Sequence, residues 1–323
     1  MLNPYIGHET QLRGMEEHRL VGGKGDGMRL LQIRNGCGME MTVSLDRCAD
    51  ISRLSLDGIN MGYFSPCGYV APSFYQHTGS DWLKSFTAGF LTTCGLEAVG
   101  SPCEDEGEFL PLHGTIGNTP ADESCWYEEA GEYVVRACIR DEVLLGRKLC
   151  LHRQLRVSLE SNTFRIVDTI ENTGDRREPM EILYHMNMGY PLLDEDSVVT
   201  IPAAEIVPRD AHAAADLVNC LKMEKPQIGY QERCYYYKFS DENGIASIYQ
   251  PKLKKGLKIQ FDATRLDGFV EWKMMGCRDY VLGLECGNCY PDGRDVMRNT
   301  GMLKFLEPGE QICYEVTITL YRD

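Results

Sequence analysis

The sequence lacks most of the features that would tie a chain to a membrane, a nucleic acid or a nucleotide. No stretch approaches the roughly eighteen apolar residues that a membrane span needs. The opening segment, Met1 to Gly14, has no apolar run of the kind a secretory signal carries. Basic residues are in the minority, with 33 lysines and arginines against 48 aspartates and glutamates and a formal net charge of −15. With no basic stripe to offset it, that balance repels phosphate backbones and anionic lipid, so neither nucleic acid nor membrane is expected as a partner. A small neutral molecule is the simpler partner, although a local basic pocket for a small anion stays compatible with the charge. GxGxxG, P-loop and GxSxG patterns are all missing, which removes support for nucleotide-dependent chemistry and for the common serine hydrolase plan. There is no βαβ rhythm either, which argues against a doubly wound parallel sheet.

What is present is a period of two. Ile312, Tyr314, Val316, Ile318 and Leu320 fall on one side of a segment whose other side holds Glu315, Thr317 and Thr319. That alternation marks a half-buried strand. Phe164, Ile166 and Ile170 repeat it and run into the turn signal Glu171-Asn172-Thr173-Gly174, and Leu257, Ile259 and Phe261 form a third example. Helical stripes are few: Arg209 to Met223, with Leu217 and Leu221 one turn apart, and Gly79 to Phe86 around Trp82. The expected fold class is therefore all-β, an antiparallel sandwich with few short helices. With 43% hydrophobic residues and no clear linker, residues 1–323 are expected to share one domain with a sizeable core. Fourteen cysteines in a long chain without a signal read as reduced, mostly buried thiols of a cytoplasmic protein.

Three segments carry candidate chemistry. In Leu110-Pro111-Leu112-His113-Gly114, an imidazole sits beside a glycine that lets other groups approach the backbone. A surface-loop histidine is the plainer reading. In Leu183-Tyr184-His185-Met186-Asn187, strand geometry puts His185 and Asn187 on one side and Tyr184 and Met186 on the other. A satisfied core histidine is the alternative. In Gly283-Leu284-Glu285-Cys286, a carboxylate ends an apolar run, where burial is costly unless the group is paired or working. Partial desolvation there would raise its proton affinity towards that of a general base, whereas an exposed strand-end glutamate would do nothing. Cys286 and Cys289 form a CxxC that could hold zinc or run thiol redox chemistry, but no second CxxC or HExxH supplies the remaining ligands.

Together these motifs resemble the aldose 1-epimerase (galactose mutarotase-like) superfamily, and most closely its DUF4432 branch. Leu112-His113-Gly114, Leu183-Tyr184-His185, and Gly283-Leu284-Glu285 followed by Pro291-Asp292 carry the likeness. Leu45-Asp46-Arg47-Cys48-Ala49-Asp50-Ile51, Leu91 to Leu96, Asn118 to Ala121, and Glu271-Trp272-Lys273 extend it along nearly the whole chain. Cys286 departs from the pattern, since relatives usually carry proline there. The resemblance implies a large antiparallel β-supersandwich with a sugar cleft on one concave face. It also implies His185 as general acid, Glu285 as general base and His113 as a histidine that binds or polarises the sugar.

The implied activity interconverts the anomers of a free sugar by acid–base ring opening, for which neither metal nor other cofactor is required. Arg47, Asn187, Trp272 and Lys273 are the candidates for holding sugar hydroxyls, with ordinary core packing the alternative for Trp272. A non-catalytic carbohydrate-binding or sensor protein on the same fold is the rival reading. The sequence does not fix the oligomeric state, and a homo-oligomer is compatible with it.

Overall fold

The computed structural model describes residues 4–323. Alternating side chains build its largest layer, an eight-stranded antiparallel sheet. Its spatial order is Glu123–Glu129, Glu132–Glu142, Lys148–Ser158, Thr163–Asn172, Gln311–Arg322, Lys255–Asp262, Asn243–Gln250, Val198–Thr200. All three strands expected from the period of two lie here, and Thr163–Asn172 alternates half-buried and buried residues along its whole length.

A six-stranded antiparallel sheet packs against it, in the order Glu205–Pro208, Arg233–Lys238, Gly268–Met275, Tyr280–Gly287, Glu181–Met188, Leu91–Leu96. Tyr184, Met186, Leu282, Leu284 and Cys286 meet Leu151, Leu155, Ile166, Val316 and Ile318 of the larger sheet in one core. Each fully buried aliphatic side chain there contributes about 1.5–3 kcal/mol. The other face of the six-stranded sheet is also covered, by a second cluster in which Leu183, Cys234 and Val270 meet Trp82, Phe86 and Tyr290. A strand covered on both faces has no exposed side to show as alternation, and Glu181–Met188 is buried at every position.

The N-terminal strands Gly14–Arg19, Arg29–Arg34, Met39–Ser44, Asp50–Leu56 and Ile59–Asn60 form a five-stranded sheet that feeds the same core through Leu31, Val43 and Ile51. One buried cation joins these three larger sheets. Arg153 of the large sheet donates to Asp168 at 2.7 Å and to Asp50 of the N-terminal sheet at 2.6 Å. Tyr184 of the six-stranded sheet donates its hydroxyl to the same Asp168 at 3.0 Å. Every charge in this network is hydrogen-bonded, as a buried charge must be, and it anchors the residue next to His185.

The two expected helices are much shorter than their stripes. Within 209–223 only Ala211–Ala214 is α-helical, capped by Asp210, and Leu217–Asn219 forms a 3₁₀ turn. Tertiary contacts override the propensity: Lys273 Nζ donates to the carbonyls of Asn219 and Lys222, at 3.0 and 2.6 Å, which a continuing helix would have claimed. Within 79–86 the only helical element is the 3₁₀ turn Asp81–Lys84. Among the described residues no helix is long and apolar enough to cross a membrane.

Candidate active site

Strand register brings the first two site residues together. Tyr184 pairs with Cys286 and Asn187 with Gly283, which sets His185 opposite Glu285 on the neighbouring strand. Because Tyr184 and Cys286 turn into the core, His185 and Glu285 both turn to the opposite face. His185 Nδ1 lies 3.3 Å from Glu285 Oε1. The two atoms are near but not aligned for a hydrogen bond, and each is buried with no other partner. Gly283, two residues before Glu285, leaves the space that the carboxylate occupies.

His113 reaches the same place from a turn. Its backbone is left-handed, with φ of 58°, a region histidine tolerates better than most residues. Its amide donates to the Gly100 carbonyl at 2.9 Å, and its carbonyl accepts from Gly95 at 3.1 Å. Gly114 cannot be larger, since a Cβ there would lie 2.3 Å from the Gly95 carbonyl oxygen. The Gly100 amide also donates to His113 Nδ1 at 3.3 Å, which leaves the proton of the neutral ring on Nε2. The ring sits 5.6 Å from that of His185 and 4.8 Å from that of Trp82.

Burial sets the electrostatics. Desolvation, followed by the nearby charge of Glu232, pushes the Glu285 carboxyl well above its ordinary range. Desolvation also carries His185 well below 6.5, helped by His113, and lowers His113 to about 4. Burial thus favours the neutral form of all three groups, the carboxyl by holding its proton and the imidazoles by shedding theirs.

The three residues line a cleft of about 220 Å³. Pockets that take drug-sized ligands measure roughly 300–1,000 Å³, so this space suits something smaller, of the order of one sugar ring. Its walls include Trp82, Phe86, Arg209, Glu232 and Trp272. Trp272 stands edge-on to His185 at 5.3 Å and donates its indole N–H to Glu232 at 2.7 Å. Arg209 donates to the other oxygen of Glu232 at 3.2 Å, so its charge is matched at the rim.

Of the residues expected to hold substrate, only Trp272 lines this cleft. Arg47 is buried elsewhere and donates to the carbonyls of Gly117, Val70 and Ser85. Lys273 lies on the opposite side of its strand from Trp272, holding the broken 209–223 segment. Asn187 shares the face of His185 but is fully buried, and its amide donates back to the His185 carbonyl at 2.9 Å. The side chains of Cys286 and Cys289 enter different apolar clusters, so the CxxC does not converge on one point. Arg209, Glu232, Trp82 and Phe86 were not among the expected site residues. Arg209 and Trp82 stood inside the candidate helical stripes, and Glu232 had only its place in a polar loop.

Residues 25–320 match the family described as a domain of unknown function, DUF4432. The chain belongs to the DUF4432 family. Among solved structures it is similar to a candidate aldose 1-epimerase from Klebsiella pneumoniae, with a TM-score of 0.89 and 29% identity over 96% of this chain and 83% of that one. A galactose mutarotase-like protein from Clostridium acetobutylicum superimposes with a TM-score of 0.68 at 12% identity, over 97% of this chain and 100% of the other. The galactose 1-epimerase of Lactobacillus acidophilus gives 0.66 at 14% identity, over 96% of this chain and 99% of that enzyme. No curated protein matches. The fold of this DUF4432 member is thus the galactose mutarotase-like β-sandwich, the architecture that the motif resemblance implies.

Proposed function

We propose that this protein is an aldose 1-epimerase-like isomerase that interconverts the anomers of a free sugar. One observation carries the reading: a buried carboxyl and a buried imidazole, whose facing atoms lie 3.3 Å apart without a hydrogen-bond partner, meet at a cleft of sugar-ring size. A group that only bound a hydroxyl would gain nothing from such costly placement, whereas a pair exchanging protons with substrate needs unengaged atoms and shifted proton affinities.

In this mechanism one group of the pair removes the proton of the anomeric hydroxyl. The C1–O1 bond becomes a carbonyl, the bond from C1 to the ring oxygen breaks, and the other group protonates that oxygen. The open aldehyde turns about its C1–C2 bond and recloses with the two roles exchanged, so no net proton is consumed. Glu285 acts as base and His185 as acid in the opening step, which starts from the form of the pair whose one proton has moved from the carboxyl to the imidazole. His113, with its proton on Nε2, donates a hydrogen bond to a sugar oxygen. Trp272 offers an apolar ring edge beside the same space.

Saturation-transfer NMR on a panel of aldoses tests this. Anomer exchange should exceed the buffer rate for at least one sugar, and Glu285→Gln and His185→Asn should each lose about 10²–10⁴-fold in kcat. Saturable binding with exchange at the buffer rate would replace the isomerase with a sugar-binding protein. A Glu285→Gln variant as fast as wild type would remove Glu285 as the base.

A further inference from the structure

Away from the cleft, the outer face of the eight-stranded sheet gathers two thiols and an imidazole. Cys138 lies on Glu132–Glu142, and Cys150 and His152 on the adjacent Lys148–Ser158. The register pairs Cys138 with His152 and Arg140 with Cys150, so Cys138 and Cys150 are diagonal neighbours on one face. Their sulfurs are 3.3 Å apart. One ligand atom from each of the three residues falls within 4.8 Å of the other two. His152 Nε2 also lies 3.6 Å from a carboxylate oxygen of Glu171, on the next strand.

We propose that Cys138, Cys150 and His152 form a binding site for a soft divalent cation of the zinc class. Two thiolates and an imidazole are the donor set that selects zinc over magnesium or calcium. At a zinc–sulfur distance of about 2.3 Å, tetrahedral geometry separates two thiolates by roughly 3.8 Å. The present sulfur pair would need to open by only about half an ångström to meet it. A carboxylate beside a metal-bound histidine orients the ring, and Glu171 lies within reach of His152 to do so. Cys138 and His152 also line a groove with Glu123, Cys125, Arg136 and Gln154, from which water or an incoming group can complete the coordination.

Binding displaces the two thiol protons into solvent, and the resulting unit of one dication and two thiolates is neutral. The bound ion would clamp two long strands across the sheet face turned away from the core. The site shares no residue with the cleft and does not depend on the isomerase reading.

The test uses full-length protein without a polyhistidine tag, reduced and freed of metal with chelator. Cobalt(II) titration should saturate at one ion per chain, with a thiolate-to-cobalt charge-transfer band. Cys138→Ser and Cys150→Ser should each abolish that band, and His152→Ala should weaken binding at least about tenfold. Zinc should raise the Tm of wild type and leave those of the serine variants unchanged, which also shows that the variants fold. Fully reduced protein that takes up no cobalt, or uptake that survives Cys138→Ser, overturns the site.

Discussion

The carboxylate of Glu285 lies over Gly283, two residues earlier on the same strand. A Cβ placed on Gly283 would come within 2.2 Å of Glu285 Oε1 and 3.0 Å of the Trp272 Cβ. Gly283 is not in the left-handed region, so what the position requires is room. Gly283→Ala should therefore fold and yet displace the carboxylate. A misplacement of about 1 Å can cost on the order of 10²-fold in rate, and overpacking about 1–3 kcal/mol in stability. Anomer exchange at unchanged protein concentration and a thermal melt measure the two effects. Exchange within threefold of wild type would show that the carboxylate need not sit there.

The pH dependence follows from the same burial. The proposed pair is competent while it holds one transferable proton. On the acid side it gains a second at His185, whose affinity is depressed below 6.5, and on the alkaline side it loses the last from Glu285, whose affinity is raised above 4.5. The kcat/KM profile should carry its acid limb below that of an ordinary histidine and its alkaline limb above that of an ordinary glutamate. An acid limb centred near 6.5 would mean that His185 titrates as if exposed.

Glu285 should also cost stability. Its folded-state affinity for a proton exceeds its unfolded one, so folding is penalised increasingly as pH rises from about 4.5 towards the folded value. Glu285→Gln, which carries no such charge, should melt at the same temperature as wild type near pH 4 and above it at pH 8. A variant less stable than wild type at pH 8 would indicate that the carboxylate makes a stabilising contact there.

Strands and their facing were legible in the sequence because period-two patterning is set by local geometry. His185 and Asn187 do share a face, and Tyr184 and Met186 do enter the core. Parity gives the side of a sheet and not the depth, so it did not separate His185 at the cleft from Asn187 sealed beside it. Arg47 and Lys273 misled for a related reason. Both are cations, but each is spent on backbone carbonyls of irregular segments, a need that only the assembled fold creates. Arg209 and Glu232 were invisible because their partnership joins positions 23 residues apart across the cleft rim.

His185, Glu285 and Trp272 stand on adjacent strands of one ladder, while His113, Arg209 and Glu232 come from the connections between elements. Insertions and exchanges accumulate in connections far more readily than in paired strands. Descendants of this chain could thus exchange the rim that greets a sugar while inheriting the proton-handling pair intact. A shift of one residue in the ladder would instead bury the pair among Leu284 and Met186, ending the lineage's chemistry at a stroke.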